Sequence, residues 1–307
     1  MNKKIILSAI LSAAIMLPSI AVEPKKLLLV TVTTGFRHSS IPTAEKVITK
    51  LARESGAFTV DLVQQPPNKP NPPKKPQNPT PEDEAKYKED LEKYKAEDAK
   101  WQAEVKKVLE KLSPDNLKKY DGVIFANTTG DLPLPDRQAF IDWIKEGHAF
   151  IGMHSASDTF HGFKAYIEML GGEFKSHGAQ ASVECINEDP QHCSCKHLSQ
   201  QWPVFDEIYI MKNFNRDTVH TLLGLDKEPN NKTPGYYPVS WCKEFGKGKV
   251  FYTSLGHRED IWDDETPANF KRQNSPDVSR AYQKHILGGI KWAVGLEPGD
   301  AKPQIAK

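Results

Sequence analysis

The chain has 307 residues, of which 26% are charged, and its formal net charge is +1. This length provides one large domain or two small ones with ample core material. Basic and acidic residues are interleaved, so the composition argues against a nucleic-acid partner held through its phosphates.

The first 21 residues have the pattern of a secretory signal. "MNKK" is basic, the next segment is apolar, and the small residues Ser19 and Ala21 follow it. We therefore predict cleavage after Ala21 and a periplasmic or secreted protein with no membrane attachment after cleavage. An uncleaved membrane anchor is the alternative.

The chain then enters an alternation of strands and helices. "KKLLLVTVTT" (25–34) is a nearly continuous apolar run, which is typical of a strand buried on both faces. "PTAEKVITKLARESG" has helical spacing and ends at glycine, and "AFTVDLV" indicates a second strand. The order predicts a βαβ unit.

A segment of different composition follows at residues 64–111. Its first part is rich in proline and predicts extended or disordered chain. Residues 82–112 carry many Glu/Lys pairs near i,i+4 spacing and predict a long, mostly solvated helix that projects from the fold. The alternative is a partner-binding arm or a homo-oligomer contact through 82–111.

The strand and helix rhythm resumes after this insertion. "YDGVIFANTTG" and "HAFIGMH" indicate strands, while "LPDRQAFIDWIKEG", with a proline near its first helical position, and "FKAYIEMLGG" indicate helices. "ASVECIN", "EIYIM" and "VHTLLGLD" indicate strands, "YYPVSWCKEFGKGKVFYTSLGH" a hairpin, and "VSRAYQKHILGGIKWAVG" a final helix. We predict one α/β domain over 22–299, with a mainly parallel sheet flanked by helices and a tail at 300–307.

Four cysteines fall in the second half of the chain. Because export implies an oxidising compartment, we predict disulfides. Cys193 and Cys195 are too close in sequence to bridge comfortably, so each is expected to pair outward, with Cys185 and Cys242 as the partners. The alternative is a Cys/His metal site that uses His192 and His197.

Polar clusters follow several predicted strands. They are "TTGFRHSS", "NTTGD", "MHSASDTFH" and "SLGHRED". Ligands of open parallel sheets bind at the carboxyl ends of the strands, so we expect these loops to form one cleft. Single Ser, Thr and Asp residues at such places are often helix caps, but His38, His154 and His257 are less easily explained as core residues.

The segment 152–156 has the shape of a nucleophile elbow. Gly152 and Ala156 flank His154 at the spacing that such a turn requires. This layout resembles the class I glutamine amidotransferase-like fold, a flavodoxin-type architecture in which the elbow carries Cys. His154 occupies that position here, so thiolate-based amide hydrolysis is excluded at this position.

An ordered set of segments resembles the ThuA-like, or trehalose-utilisation-type, family. The matching segments are "GFRHSSIPTA", "LKKYDGVIFANTTGD", "FIGMHSASDTF", "YIEMLGGEFKSH", "FDEIYIM", "PVSWCKEFGKGKVFYTSLGH" and "GGIKWAVG". The resemblance implies an amidotransferase-like fold and an association with sugar and disaccharide metabolism, and residues 64–111 depart from it as an insertion.

The residues and the resemblance together suggest an enzyme that acts on a saccharide or an oxidised keto-saccharide. His154 would be the central acid, base or ligand, assisted by His38 and His257 and oriented by Asp158. The imidazoles could instead hold a divalent metal such as zinc; the candidates are His38, His154, His161, His177 and His257. No other cofactor is expected.

The expected saccharide contacts come from polar loops and aromatic side chains. The polar candidates are Arg37, Ser39, Thr128, Thr129 and Ser155. Tyr237 and Trp241, and also Tyr236 and Trp262, could stack on sugar faces, although core or rim packing is the ordinary role of such residues. Two other functions remain open at this point: a non-catalytic periplasmic carbohydrate-binding protein, and a scaffold whose charged helix docks a partner.

Overall fold

The computed structural model describes residues 23–267 and 269–304, and the predicted signal sequence at 1–21 lies outside them. The strands are β1 (Lys25–Val30), β2 (Phe58–Val63), β3 (Gly122–Ala126), β4 (Ala149–Met153), β5 (Glu173–His177), β6 (Ala181–Asn187), β7 (Gln201–Asp206), β8 (Tyr209–Lys212), β9 (His220–Lys227), β10 (Pro234–Phe245) and β11 (Gly248–Thr253). The α-helices are α1 (Ile41–Ser55), α2 (Pro81–Leu109), α3 (Pro114–Leu117), α4 (Arg137–Lys145), α5 (Lys164–Leu170), α6 (Glu259–Trp262) and α7 (Pro276–Ala293).

One large sheet organises the molecule. Its nine strands run in the order β2-β1-β3-β4-β11-β10-β9-β6-β7. The first five strands are parallel to one another, and the last four are joined by antiparallel pairings. β5 and β8 form a separate two-stranded antiparallel sheet. The predicted α/β class with a mainly parallel core is confirmed.

The apolar strand segments are explained by burial on both faces of the sheet. Leu27 and Leu29 of β1 belong to one hydrophobic cluster, with residues of α1 and α7, whereas Leu28 and Val30 belong to the other, with residues of α4 and α5. Because successive side chains of a strand point to opposite faces, a strand covered on both sides must be apolar throughout.

The predicted insertion joins β2 to α3. Its long helix α2 begins at a capping box, in which Thr80 and Asp83 bond each other's backbone amides. Near its end Trp101, Val105 and Leu109 are buried at i,i+4 spacing, while the side chains before Trp101 are exposed or half-buried. The helix is therefore anchored at its carboxyl end and solvated along the rest.

Among the described residues, no helix has both the length and the apolarity that a bilayer span requires.

Some local predictions need correction. Helix α4 begins at Arg137 with Asp136 as its cap, so Pro135 precedes the cap instead of lying near the first helical position. Strands β5 and β7 were not indicated by the pattern. β5 is short and polar, and β7 contains Pro203, which is tolerated because β7 is an edge strand of the sheet.

The predicted disulfides are wrong. All four cysteines lie in the described part of the chain and are buried free thiols. Cys193 Sγ donates to the carbonyl of Gly288 at 3.4 Å and Cys242 Sγ to that of Asp300 at 3.5 Å, so these two thiols are directed at backbone carbonyls and not at another cysteine. Burial raises the pKa of Cys193 to about 11 and that of Cys195 to about 12.

The alternative Cys/His metal site does not form either. His192 faces Cys193 with Nδ1 at 4.0 Å and Cys242 with Nε2 at 3.8 Å, so the two thiols lie at opposite nitrogens of the ring. His197 is directed elsewhere, towards the carbonyl of Ala281 at 2.8 Å. These groups do not converge on a common point.

We expect acid to destabilise the fold through buried neutral histidines. Burial lowers the pKa of His285 to about 3 and that of His192 to about 4, both below the ordinary value of 6.5. Between pH 6.5 and 4 the unfolded chain therefore binds protons that the folded chain does not. As the pH is lowered through this range, the free energy of unfolding should decrease by up to about 1.4 kcal/mol per pH unit for each such histidine.

This expectation can be checked by urea unfolding at several pH values in the presence of a chelator. The variant His285→Gln should show a shallower dependence on pH below 6.5 than the wild type. An identical slope in the two proteins would show that His285 is not held neutral.

Candidate functional site

The strand β4 ends in the sharp turn that the sequence predicted. His154 has a positive φ of 47°, a conformation that is uncommon for a residue with a side chain. A Cβ atom on Gly152 would lie 3.3 Å from that of Ala156 and 3.0 Å from the ring of Tyr252, so this side of the turn is closely packed. The segment after the turn, His154–Asp158, is a 3-10 helix and not an α-helix.

A single backbone carbonyl in the loop after β11 ties neighbouring segments together. The oxygen of Gly256 accepts hydrogen bonds from Ser40 Oγ at 3.0 Å, Asn127 Nδ2 at 2.9 Å and Trp262 Nε1 at 2.8 Å. The loops after β1, β3 and β11 are therefore fixed to one another. The expected convergence of these loops at the carboxyl edge of the sheet is observed.

The buried carboxylate of Asp206 holds the loop that carries His257. Its two oxygens accept hydrogen bonds from the backbone amides of Gly256 at 2.7 Å, His257 at 3.3 Å and Arg258 at 3.1 Å. Both oxygens are thus committed to the backbone. Burial raises the pKa of Asp206 to about 6, although these hydrogen bonds act in the opposite direction.

Four side chains from separate segments meet at this edge. They are His38, His154, Glu207 and His257, and one nitrogen or oxygen from each lies within 4.8 Å of all the others. His38 Nε2 is 3.2 Å from His154 Nε2, and His257 Nδ1 is 3.2 Å from Glu207 Oε2. We call these four residues the histidine cluster.

The hydrogen bonds of His154 define which ring nitrogen faces the cluster centre. Nδ1 lies 2.7 Å from the carbonyl oxygen of Ser254, which can only accept, so Nδ1 carries the proton. In the neutral ring the lone pair is then on Nε2, which faces His38 and also lies 3.0 Å from the hydroxyl of Tyr209. Metal-binding histidines commonly have such a backbone partner on the outer nitrogen.

Two other members of the cluster also have outer partners. Ser155 Oγ lies 3.3 Å from His38 Nδ1, on the side of the ring away from His154. His177 Nδ1 lies 3.0 Å from Glu207 Oε1, while Glu207 Oε2 faces the cluster. Ser155 and His177 therefore orient cluster members from the outside.

The electrostatic environment differs between the histidines. Burial, with a smaller contribution from His257, lowers the pKa of His38 to about 4. Burial also lowers the pKa of His154 far below its ordinary value. For His257 burial acts downwards, but the Glu207 carboxylate outweighs it and raises the pKa. Two of the rings are therefore neutral, the state that can donate a lone pair to a cation.

The spacing of the cluster fits a divalent metal. A tetrahedral zinc with bonds of about 2.0–2.1 Å holds its ligand atoms about 3.3–3.4 Å apart. Two cluster distances are 3.2 Å, close to this value, and the distance from His154 Nε2 to Glu207 Oε2 is longer, at 3.9 Å. His257 Nδ1 lies near Glu207 but has no hydrogen-bond partner of acceptable geometry. Two atoms that bind the same cation lie close together without forming a hydrogen bond, and His257 Nδ1 and Glu207 Oε2 have this arrangement.

The structure places two predicted site residues beside the cluster but outside it. Asp158 Oδ1 contacts His161 Nε2 at 2.5 Å, and His161 Nδ1 contacts Glu173 Oε1 at 2.7 Å. Asp158 thus orients His161 and not His154, and His161 is not a member of the histidine cluster.

The predicted polar contacts have mixed positions. The Thr128 and Thr129 hydroxyls bond Thr159 Oγ1 and the Phe36 carbonyl, respectively. Arg37 donates to the carbonyl of Thr31 and to Gln65, and Ser39 is exposed. Ser155 contacts His38, as described above. Thr128, Thr129 and Ser155 therefore hold the loops in place and do not face solvent.

The predicted aromatic platforms are placed differently from the expectation. Trp241 is fully buried and donates from Nε1 to the Leu170 carbonyl at 2.7 Å, so it cannot stack on a ligand from solvent. Trp262 is also buried, and Tyr237 is half-buried against the core. Tyr236 is exposed, but Arg216 lies 4.2 Å from its ring centre.

Sequence reasoning missed Glu207 and Tyr209. Both lie at the junction of β7 and β8, in the antiparallel half of the fold. The consecutive acids Asp206 and Glu207 at a strand end were the available signal.

Comparison with known proteins agrees with this architecture. The family model ThuA, described as trehalose utilisation, matches residues 77–273, which include His154, Glu207 and His257. A ThuA-like protein from Parabacteroides merdae has a TM-score of 0.60 at 17% identity, over 88% of this chain and 90% of that one. One from Bacteroides uniformis has a TM-score of 0.56 at 16% identity, over 92% and 95%.

At these identities the two structures support the fold alone, and no curated protein matches the chain significantly. The family model covers more than half of the sequence, and the α/β sheet with its elbow turn agrees with the resemblance seen in the sequence. The chain belongs to the ThuA, or trehalose utilisation, family.

Proposed function

We propose that this protein is a metal-dependent enzyme that acts on a saccharide or keto-saccharide, with the histidine cluster as its metal centre. The observation that carries the proposal is the meeting of four ligating atoms within 4.8 Å at the carboxyl edge of the parallel strands. This edge is where open α/β sheets bind their ligands.

The donor set favours a first-row divalent metal. Three imidazoles and one carboxylate suit zinc, and iron or manganese are compatible with the same ligands. Such a metal, when bound, polarises a carbonyl or hydroxyl oxygen of the substrate or lowers the pKa of water. Saccharides offer both hydroxyl and, when oxidised, carbonyl oxygens. The family description, which concerns trehalose, supports this substrate class.

The protein's own groups add hydrogen bonding at the centre. The Tyr209 hydroxyl lies 3.0 Å from His154 Nε2, and burial raises its pKa strongly, so it remains protonated. With Nε2 bound to a metal, this hydroxyl would be free to donate to a substrate oxygen at the centre. A hydrolysis by two carboxylates is less well supported, because both oxygens of Asp206 are bonded to backbone amides. Export of the protein is part of the proposal and rests on the sequence at 1–21 alone.

The test compares two glutamates whose side chains are little exposed, Glu207 at 10% and Glu188 at 11%. We expect purified protein supplied with zinc, manganese or iron(II) to bind about one equivalent of one of them. Glu207→Gln should weaken that binding at least about tenfold, since it removes the anionic ligand. Glu188→Gln is the matched control, because Glu188 is similarly buried but bonds Arg216 and Tyr236 outside the cluster.

Metal content and affinity are measured by elemental analysis and calorimetry, and turnover is followed with trehalose and keto-sugars. A wild type that binds none of the three metals, or a Glu207→Gln protein with unchanged affinity, would overturn the metal centre.

A further inference from the structure

We propose that Phe36 is a stacking platform, on which the C–H face of a pyranose ring lies while the hydroxyls of the sugar reach the histidine cluster. This inference rests on the proposed function, since it names the part of the same site that selects a sugar ring. Phe36 stands in the loop between β1 and α1, two residues before His38.

The exposure and position of this side chain carry the argument. Among the described residues, the exposed large hydrophobic side chains are Phe36, at 67%, and Tyr236, at 37%. The Phe36 ring centre is 4.9 Å from that of His38, and the two rings are nearly perpendicular. An exposed aromatic ring therefore borders directly on a side chain of the candidate metal centre.

The backbone under Phe36 is held firmly even though its ring faces solvent. The Phe36 carbonyl accepts a hydrogen bond of 2.7 Å from Thr129 Oγ1, and the amide of Thr34 donates to the Thr129 carbonyl at 3.0 Å. A Cβ on Gly130 would lie 2.7 Å from the Gly35 amide nitrogen, so the two loops are in close contact. A platform that is already fixed loses little conformational entropy when a ligand binds.

The other exposed aromatic residue is engaged within the protein. Arg216 lies 4.2 Å from the ring centre of Tyr236, and the Tyr236 hydroxyl donates to Glu188 at 2.7 Å. Phe36 has no hydroxyl to anchor, and its aromatic neighbour among the described residues is the cluster residue His38. Of the two rings, Phe36 is the one that is positioned for a ligand of the cluster.

The neighbouring chemistry selects the ligand class. A metal held by the cluster would bind oxygen atoms of the ligand, and the Phe36 ring beside it would contact an apolar face of the same ligand. A pyranose carries both, because its equatorial hydroxyls surround a continuous patch of axial C–H bonds. An open-chain polyol has the same hydroxyls but no fixed face. Aromatic rings favour close contact with such apolar, electropositive C–H groups.

The experiment measures sugar binding by the full-length protein loaded with its metal. Trehalose and the methyl glycosides of glucose, galactose and mannose are the probes, and glucitol is the ring-less control. We expect at least one pyranoside to bind, and Phe36→Ala to weaken it roughly 10- to 30-fold. Phe36→Tyr should stay within about threefold of the wild type, and Tyr236→Ala should not change the affinity.

A second readout separates stacking from a structural effect. Saturation-transfer NMR should show the ring C–H protons of the bound pyranoside closest to the wild-type protein, with this signal lost in Phe36→Ala. The metal content should be the same in all the variants.

The outcomes distinguish this inference from the proposed function. Three results would overturn the platform and leave the metal centre standing. The metal-loaded wild type could bind no pyranoside, it could bind glucitol as tightly as a pyranoside, or Phe36→Ala could have the same pyranoside affinity as the wild type. Pyranoside binding that is lost in Phe36→Ala, in a protein that holds no metal, supports the platform and overturns the metal centre.

Discussion

Replacing His154 by asparagine is expected to weaken metal binding more than about 100-fold and to abolish turnover of the saccharide. The exchange removes a central imidazole, and the loss should exceed that caused by changes to outer partners of a metal ligand, which reaches about 100-fold. Asparagine is chosen because it tolerates the left-handed backbone found at this position, so the result reports the imidazole.

The matched control is His285→Gln. His285 is also fully buried and also donates from Nδ1 to a backbone carbonyl, that of Ser194 at 2.9 Å, but it lies outside the cluster. This variant should keep the metal content of the wild type. Equal metal affinity in wild type and His154→Asn would exclude His154 as a ligand. If His154→Asn keeps its sugar affinity but loses the turnover that the wild type shows, the protein is an enzyme. If the wild type shows no turnover and His154→Asn loses sugar affinity, the protein is a binding protein.

Replacing Trp241 by alanine is expected to lower the free energy of unfolding by about 3–5 kcal/mol. The side chain is fully buried between Tyr252 and Phe214, at ring distances of 4.4 and 5.0 Å, so its removal leaves a large cavity. The Leu170 carbonyl also loses its hydrogen bond from Nε1. Chemical denaturation of the wild type and the variant measures the effect.

Trp241→Phe serves as the control, because it keeps most of the volume and should cost less. The metal content of folded Trp241→Ala should equal that of the wild type, since Trp241 is not in the cluster. If sugar affinity fell while stability was unchanged, Trp241 would be a ligand contact after all and the core assignment would be wrong.

The sequence was informative wherever a local pattern has one structural outcome. The continuous apolar residues of β1, β3 and β4 require burial on both faces, and that requirement gives a parallel sheet covered by helices. The spacing of Gly152, His154 and Ala156 predicted the sharp turn after β4. Histidines at strand ends indicated a site, because parallel strands bring their carboxyl ends to the same edge.

The sequence was much less informative in the antiparallel half. There, strand order does not follow from a repeated βα unit, so neither the position of β9 between β6 and β10 nor the edge position of β7 could be read from the residues.

The sequence by itself determined the α/β class, the exposed charged helix and the three histidines that meet at the sheet edge, because these depend on periodicity and on the direction of parallel strands. The tertiary structure decided that Glu207 completes the cluster, that Asp158 serves His161, and that Trp241 belongs to the core. Those facts depend on which distant segments pack together, and the packing of antiparallel strands is set by long-range contacts that no local pattern encodes.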